Sequence, residues 1–314
     1  TQRGLAAIDV ADIERIEVLR GSNSAAYGAN AFLGVVNIVT KAAADSHGLS
    51  ASVSRGDRGI DDSYARIGWG GDGADMRLSV SRRTTTGLPT LYDDSRRSQL
   101  SFRGEFRPSA VDELRISAGV ATEAFGEGFP PTSSCTTLIA IPGTCDSNRQ
   151  RTDGWRNGHL RVDWSRDLGQ GSVLRLAGGV DQELYQSNFL AEQFPAFGPI
   201  TAIRAPFDFG GRGLRHNLEV QRSDQHGDTL RTVFGAEVLR EEARSPFLFS
   251  TNYGTSAHAL RLFGGVEWKP APDWVVNAGG LWERHSLAGG EFAPRLALNY
   301  HLDAENTLRA ASTR

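Results

Sequence analysis

The chain has 314 residues, with 34 Lys plus Arg against 37 Asp plus Glu, for a formal net charge of −3. That balance excludes the basic whole-chain excess expected of a nucleic-acid binder. Apolar residues make up only 39% and Gly reaches 36 residues, a poor fit to two compact soluble domains, which carry roughly 45–50% apolar residues and about 7% Gly.

No run of 18 apolar residues occurs, so the sequence holds no transmembrane helix. Strands remain able to cross a membrane, because alternation hides the polar half of each from lipid. The chain starts at Thr1 without a charged-then-apolar leader, so a signal peptide is expected to have been removed or left out.

The first 46 residues read as a small α/β unit. Asp12–Arg20 alternates as a short strand, Gly21 breaks it, and Ser22, Asn23 and Ser24 offer helix caps ahead of Ala25-Ala-Tyr27. Gly34–Thr40 is a second, mostly apolar strand.

From residue 47 onward, period-two alternation dominates. It predicts thirteen strands near 48–56, 62–70, 74–84, 96–107, 112–125, 153–167, 172–186, 212–223, 228–243, 257–269, 273–285, 291–302 and 305–314. In one of them Leu214, Leu218 and Val220 face away from Arg215, Asn217, Glu219 and Gln221. Many are longer than the five or six residues common in globular sheets, and suit a tilted membrane strand of about 9–11 residues.

The connections alternate too. Tight turns rich in Gly, Asp or Pro, such as 70–75, 167–171 and 269–273, take turns with a second set that is often long: 86–95, 126–152, 187–211 and 244–256. Short turns at one end and long loops at the other are the pattern of an outer-membrane barrel. Trp69, Phe106, Trp164, Trp268, Trp274 and Tyr300 sit on the apolar face close to short turns, as an interfacial girdle requires. A soluble antiparallel β protein is the bland alternative.

The run Asp12-Ile-Glu-Arg-Ile-Glu-Val-Leu-Arg-Gly21, followed by Ser24-Ala-Ala-Tyr-Gly28 and Gly34-Val-Val-Asn-Ile-Val-Thr-Lys41, closely resembles the last part of the plug domain of TonB-dependent outer-membrane receptors. Ser22 departs from it, since many members carry proline there. The motif positions matched are Glu14, Arg15, Glu17, Arg20, Gly21, Tyr27, Gly28, Gly34 and Asn37. The resemblance implies a mainly β fold: the C-terminal part of a plug (1–46), then the N-terminal part of an antiparallel transmembrane β-barrel (47–314). About thirteen of some twenty-two strands would be present, the size class whose lumen is plugged. It also implies residence in the bacterial outer membrane among its lipid, TonB with its inner-membrane complex as energising partner, and no cofactor.

Inward-facing charges are expected to line a wet lumen: Arg161, Arg175, Arg215, Arg231 and Arg261, with Glu105, Asp163, Glu183, Glu219 and Glu237. They could pair with Glu14, Arg15, Glu17 and Arg20 of the plug, or stand as ordinary solvated charges. Ligand contacts are expected from the long loops. These carry Phe129, Phe189, Phe194, Phe197, Arg204, Phe207 and Phe209, which either grip a bulky anion or pack one loop on another.

Cys135 and Cys145 lie close together in a Pro/Thr/Ser/Gly stretch, as a loop disulfide or as two free thiols. Gly68–Gly73 matches a dinucleotide fingerprint and Gly70–Asp75 a calcium-binding repeat unit, but neither has its context, so a tight turn is expected. The seven His, at 47, 159, 216, 226, 258, 285 and 301, show no metal-ligand spacing. With no nucleophile elbow, P-loop or paired-Cys motif, enzymatic chemistry has little support.

The expected function is TonB-dependent import of a scarce large solute, a ferric siderophore by frequency in the family. A passive porin, or a surface or phage receptor without transport, is the alternative.

Overall fold

A computed structural model of the chain describes residues 8–20, 34–128, 150–194, 203–249, 254–303 and 305–313. Thirteen antiparallel strands form one sheet, each consecutive pair hydrogen-bonded. They are β3 (Gly48–Gly56), β4 (Ile60–Gly71), β5 (Ala74–Thr85), β6 (Ser95–Phe106), β7 (Asp112–Glu127), β8 (Arg151–Gly169), β9 (Ser172–Gln186), β12 (Gly211–His226), β13 (Leu230–Arg244), β14 (Gly254–Ala271), β15 (Trp274–His285), β16 (Gly289–His301) and β17 (Thr307–Thr313). Ahead of them, β1 (Ile13–Arg20) and β2 (Gly34–Thr40) make a separate antiparallel pair.

The expected thirteen strands are therefore all present, with ends shifted by up to three residues. The predicted helix near Ala25–Tyr27 lies outside the described residues. One expectation is corrected: the loop at 187–211 contains a hairpin of its own, β10 (Asn188–Phe194) against β11 (Ile203–Asp208). Alternation is poor in Asn188–Phe194, and Pro206, which pairs across from Leu190, marks β11 as a non-strand on sequence grounds.

The sheet is inside out relative to a soluble domain. On the inner face, which receives the N-terminal segment, Asp75, Arg77, Ser79, Ser81, Gln99 and Glu105 are buried. On the outer face Leu78, Val80, Leu100, Leu160, Leu218 and Phe234 are exposed. Apolar surface left outward and polar groups gathered inward is the arrangement lipid favours and water does not. The short-turn end carries outward aromatics: Trp69, Trp268 and Trp274 are exposed, and the Trp274 and Tyr300 rings meet at 4.5 Å.

Glycine is used where rings need a partner without a side chain. Phe234 on the outer face lies over Gly264, its directly opposite residue, where a Cβ would come within 2.7 Å of the ring. On the inner face the relation is reversed, with Phe263 lying over Gly235 in the same strand pair. Each glycine lets an aromatic side chain lie flat along the sheet, a contact that Ala would fill.

Candidate functional site

The N-terminal segment is fastened to the inner face by a short run of polar contacts. Asp9 caps a 3-10 turn at Val10–Asp12 and accepts from the Ala11 N–H at 2.9 Å. It also accepts from Gln99 Nε2 at 2.9 Å and from Arg83 at 3.2 Å. Asp12, which is 1% exposed, accepts from the Tyr64 hydroxyl at 2.8 Å, with Arg77 at 3.7 Å and Arg66 at 3.9 Å.

The same zone binds the far side of the β1–β2 pair. Arg77 donates to the Lys41 carbonyl at 2.7 Å, Arg103 to the Thr40 hydroxyl at 2.6 Å, and Ala43 N–H to Glu105 at 3.3 Å. His47 meets Asp75 at 2.8 Å. Gly68 has no room for a side chain, because a Cβ would overlap the carbonyl oxygen of Ser46. Four wall arginines thus converge on two carboxylates, one carbonyl and one hydroxyl of the segment. In such a water-poor gap, charge-assisted bonds gain over those at an exposed surface.

The segment residues that make these contacts differ from the expected ones. Arg15 donates to Glu14 at 2.8 Å and to Glu17 at 2.7 Å, and Asn37 donates to Glu17 at 2.8 Å. These bonds stay within β1 and β2, and the side chains of Glu14, Arg15 and Glu17 are exposed. The Asn37 amide and then the Arg15 guanidinium hold the Glu17 carboxyl below its ordinary value. The contacts with the wall fall instead to Asp9 and Asp12, whose signal in the sequence is only the capping pattern ahead of Ile13. Gly34 stands opposite Arg20 at the open end of the pair. The Arg20 side chain lies outside the described residues, as do Gly21, Tyr27 and Gly28.

The wall charges pair with one another along cross-strand rows. Arg261 bridges Glu237 at 2.9 Å and Glu283 at 2.5 Å, one on each neighbouring strand. Arg175 bonds Asp163 and stands 3.7 Å from Glu219, and Arg161 reaches Asp163 at 2.9 Å. Arg215 lies 3.7 Å from Glu241. Glu183 accepts from Trp155 Nε1 at 2.8 Å. Arg231 is exposed beside Gln221 and Arg295.

Toward the long loops the inner face turns aromatic. Phe125, Trp155 and Ala121 form a small core with Tyr185 against it, and the Tyr185 hydroxyl donates to buried Asp153 at 2.8 Å. Beyond it Phe189 stacks on Phe209 at 5.3 Å and on Phe207 at 6.1 Å, and Phe209 meets Phe247 at 3.9 Å. The Arg151 guanidinium lies 4.3 Å from the Phe189 ring centre while its Nε holds Asp153 at 2.9 Å. Three of the expected loop residues, Phe189, Phe207 and Phe209, are therefore brought together. Phe247 and Arg151, missed in the sequence, complete the group. Phe194 and Arg204 are placed only as backbone in β10 and β11, and Phe129, Phe197, Cys135 and Cys145 lie outside the described residues.

Residues 1–35 match the TonB-dependent Receptor Plug Domain family. That family comprises transport receptors and not enzymes. Among curated proteins no sequence matches this chain. Its fold matches that of the siderophore receptor PirA from Acinetobacter baumannii, with a TM-score of 0.75 at 14% identity over 98% of this chain and 48% of that one. The closed form of the ferric-catecholate import receptor Fiu from E. coli K12 gives 0.75 at 14% over 96% and 55%. The Pseudomonas aeruginosa ferripyoverdine receptor bound to ferripyoverdine gives 0.74 at 14% over 97% and 47%. The chain spans about half the length of the solved receptors it matches.

Proposed function

We propose that the protein imports a ferric siderophore across the bacterial outer membrane, driven by TonB. Residues 1–46 act as part of the plug, and 47–314 as part of the barrel wall. The reading rests above all on one observation: the N-terminal segment is bound to the inner face through Asp9, Asp12, Thr40 and Ala43, where a passive pore would keep open water. The outward apolar face and the aromatics at the short-turn end support a place in lipid.

The aromatic group Phe189, Phe207, Phe209 and Phe247, flanked by Arg151, supports capture of a ligand with planar rings and negative charge. Ferric catecholates have that chemistry. Capture alone moves nothing, since a ligand shifts only those states it binds unequally. Work must come from a partner that pulls the segment from the wall, and the polar contacts around Asp12 are what that pull would break. A disulfide between Cys135 and Cys145 would trim the freedom of the loop that carries Phe129.

The test is uptake of labelled ferric catecholate, ferric hydroxamate, haem and cobalamin by cells expressing the full-length protein, with and without TonB. Uptake of the ferric catecholate that disappears without TonB is the expected result. Equal uptake in both strains would overturn the import reading and favour a passive channel.

A further inference from the structure

The aromatic group near the long loops rests on a buried ion pair. The Asp153 side chain on β8 is fully buried, and Arg151, two residues before it on the same inward face, folds back along the strand to bond it at 2.9 Å. Asp153 stands directly opposite Phe125, which stacks on Tyr185 at 6.4 Å, so aromatic rings wall in the carboxylate. Among the described residues Arg151 is the one cation within 4 Å of it, and the Tyr185 hydroxyl donates a further bond at 2.8 Å.

The Arg151 guanidinium is thereby held where two parts of the ring group meet. It lies 4.3 Å from the Phe189 ring centre, and its Nη2 donates to the Ser187 hydroxyl at 3.1 Å. Ser187 is buried, and its carbonyl accepts from the Phe209 N–H at 2.9 Å, which closes the base of the β10–β11 hairpin. One guanidinium therefore touches Phe189 directly and reaches Phe209 through Ser187, the two rings that stack at 5.3 Å. A buried ion pair returns little net stability, because desolvation offsets the attraction. What it does supply is geometry: a long Arg side chain that would otherwise sample many rotamers is fixed in one.

We infer that Asp153 is a positioning residue for the ligand platform. It holds the Arg151 guanidinium against Phe189 and so sets the Phe189 and Phe209 rings for a ligand that is both aromatic and anionic. Asp153 touches no ligand, being fully buried, and acts through Arg151. Arg151 is the group that presents charge beside the rings. This role rests on the reading of the aromatic group as the site of ligand capture, and adds to it the residue that orders that site.

The full-length protein in detergent is titrated with an iron(III) tris-catecholate, and binding is read from quenching of tryptophan fluorescence. Arg151→Gln and Asp153→Asn should each weaken binding about tenfold. Because Asp153 acts through Arg151, the double variant should bind no more weakly than the weaker single one, where independent roles would give about a hundredfold loss. Exchange of the Phe209 amide should quicken in both single variants and no further in the double, while β13 and β14 keep their wild-type protection. Asp112→Asn, which takes the carboxylate from Arg166 at the short-turn end, should bind as the wild type does. Additive losses in the double variant would overturn the positioning role, and so would wild-type binding by Asp153→Asn. Faster exchange throughout the sheet in Asp153→Asn would overturn it too, by making Asp153 a support of the whole fold. A wild type that leaves the tris-catecholate unbound overturns the capture reading, and the ordering of the hairpin by Asp153 is then decided by Phe209 exchange alone.

Discussion

The Asp12 carboxylate accepts a 2.8 Å hydrogen bond from the Tyr64 hydroxyl, across the gap between the N-terminal segment and the wall. Arg77 stands 3.7 Å away with almost no solvent contact of its own. Both charges are desolvated, so removing one strands the other. Asp12→Ala should therefore weaken the segment's attachment by about 3 kcal/mol. Hydrogen exchange checks this: amides of residues 8–20 should exchange faster, while those of β13 and β14 keep their wild-type protection. Uniform acceleration throughout would mean that Asp12 supports the whole sheet and not the attachment.

Gly68 and Gly71 lie in one strand three residues apart and make opposite predictions. A Cβ at Gly68 would overlap the Ser46 carbonyl, whereas one at Gly71 would meet nothing within 4 Å. Gly68→Ala should expose the connection at 41–47 to protease, and Gly71→Ala should not. Equal resistance of the two variants would show that the connection yields without cost.

Arg261 stands between Glu237 and Glu283, at 2.9 and 2.5 Å. Arg261→Met leaves two carboxylates facing each other on a wall where each is little exposed, at a cost of about 3 kcal/mol in denaturant unfolding. Adding Glu237→Gln and Glu283→Gln should recover much of that loss, since the repulsion goes with the charges. No recovery would show that the packing of Arg261, and not its charge, matters.

In the turn between β16 and β17, Asp303 accepts from the Asn306 side chain at 3.0 Å and from the backbone N–H groups of Glu305 and Asn306 at 2.9 and 2.8 Å. Those bonds, the Asn306 side chain first, hold its carboxyl below the ordinary value. A depressed folded value means that the stabilisation is complete above the ordinary carboxylate range and is lost as pH falls through the folded value. Amide exchange at Glu305 and Asn306, corrected for its intrinsic pH dependence, should hold steady down to that range and rise only below it. Asp303→Asn should flatten the profile.

The strands of the wall were legible because an apolar outer face and a polar inner face impose period two on each of them separately. Leu218 and Val220 facing away from Asn217 and Glu219 can be read without knowing any partner strand. The segment that fastens to the wall was legible as a motif, but its contact residues were not. Glu14, Arg15 and Glu17 were candidates for pairing with charges of the wall, yet they satisfy one another and Asn37. Asp9 and Asp12 do the fastening, and only Tyr64, Arg83 and Gln99, more than 50 residues away, reveal it. The same holds for the aromatics near the long loops, where Phe247 joins Phe209 from a segment that carried no periodic signal.

By itself, then, the sequence determined the class of the protein: an alternating sheet with an apolar outer face, alternating turn lengths and a plug motif ahead of it. Such features are local, fixed by the pleat and by the apolar outer face that each strand supplies. The tertiary structure decided which charges meet. Arg261 with two glutamates, Arg212 against Arg244 and Asp12 under Tyr64 all depend on register between strands. A one-residue slip would turn every side chain of a strand to the other face, so register belongs to the assembled sheet and to no single strand.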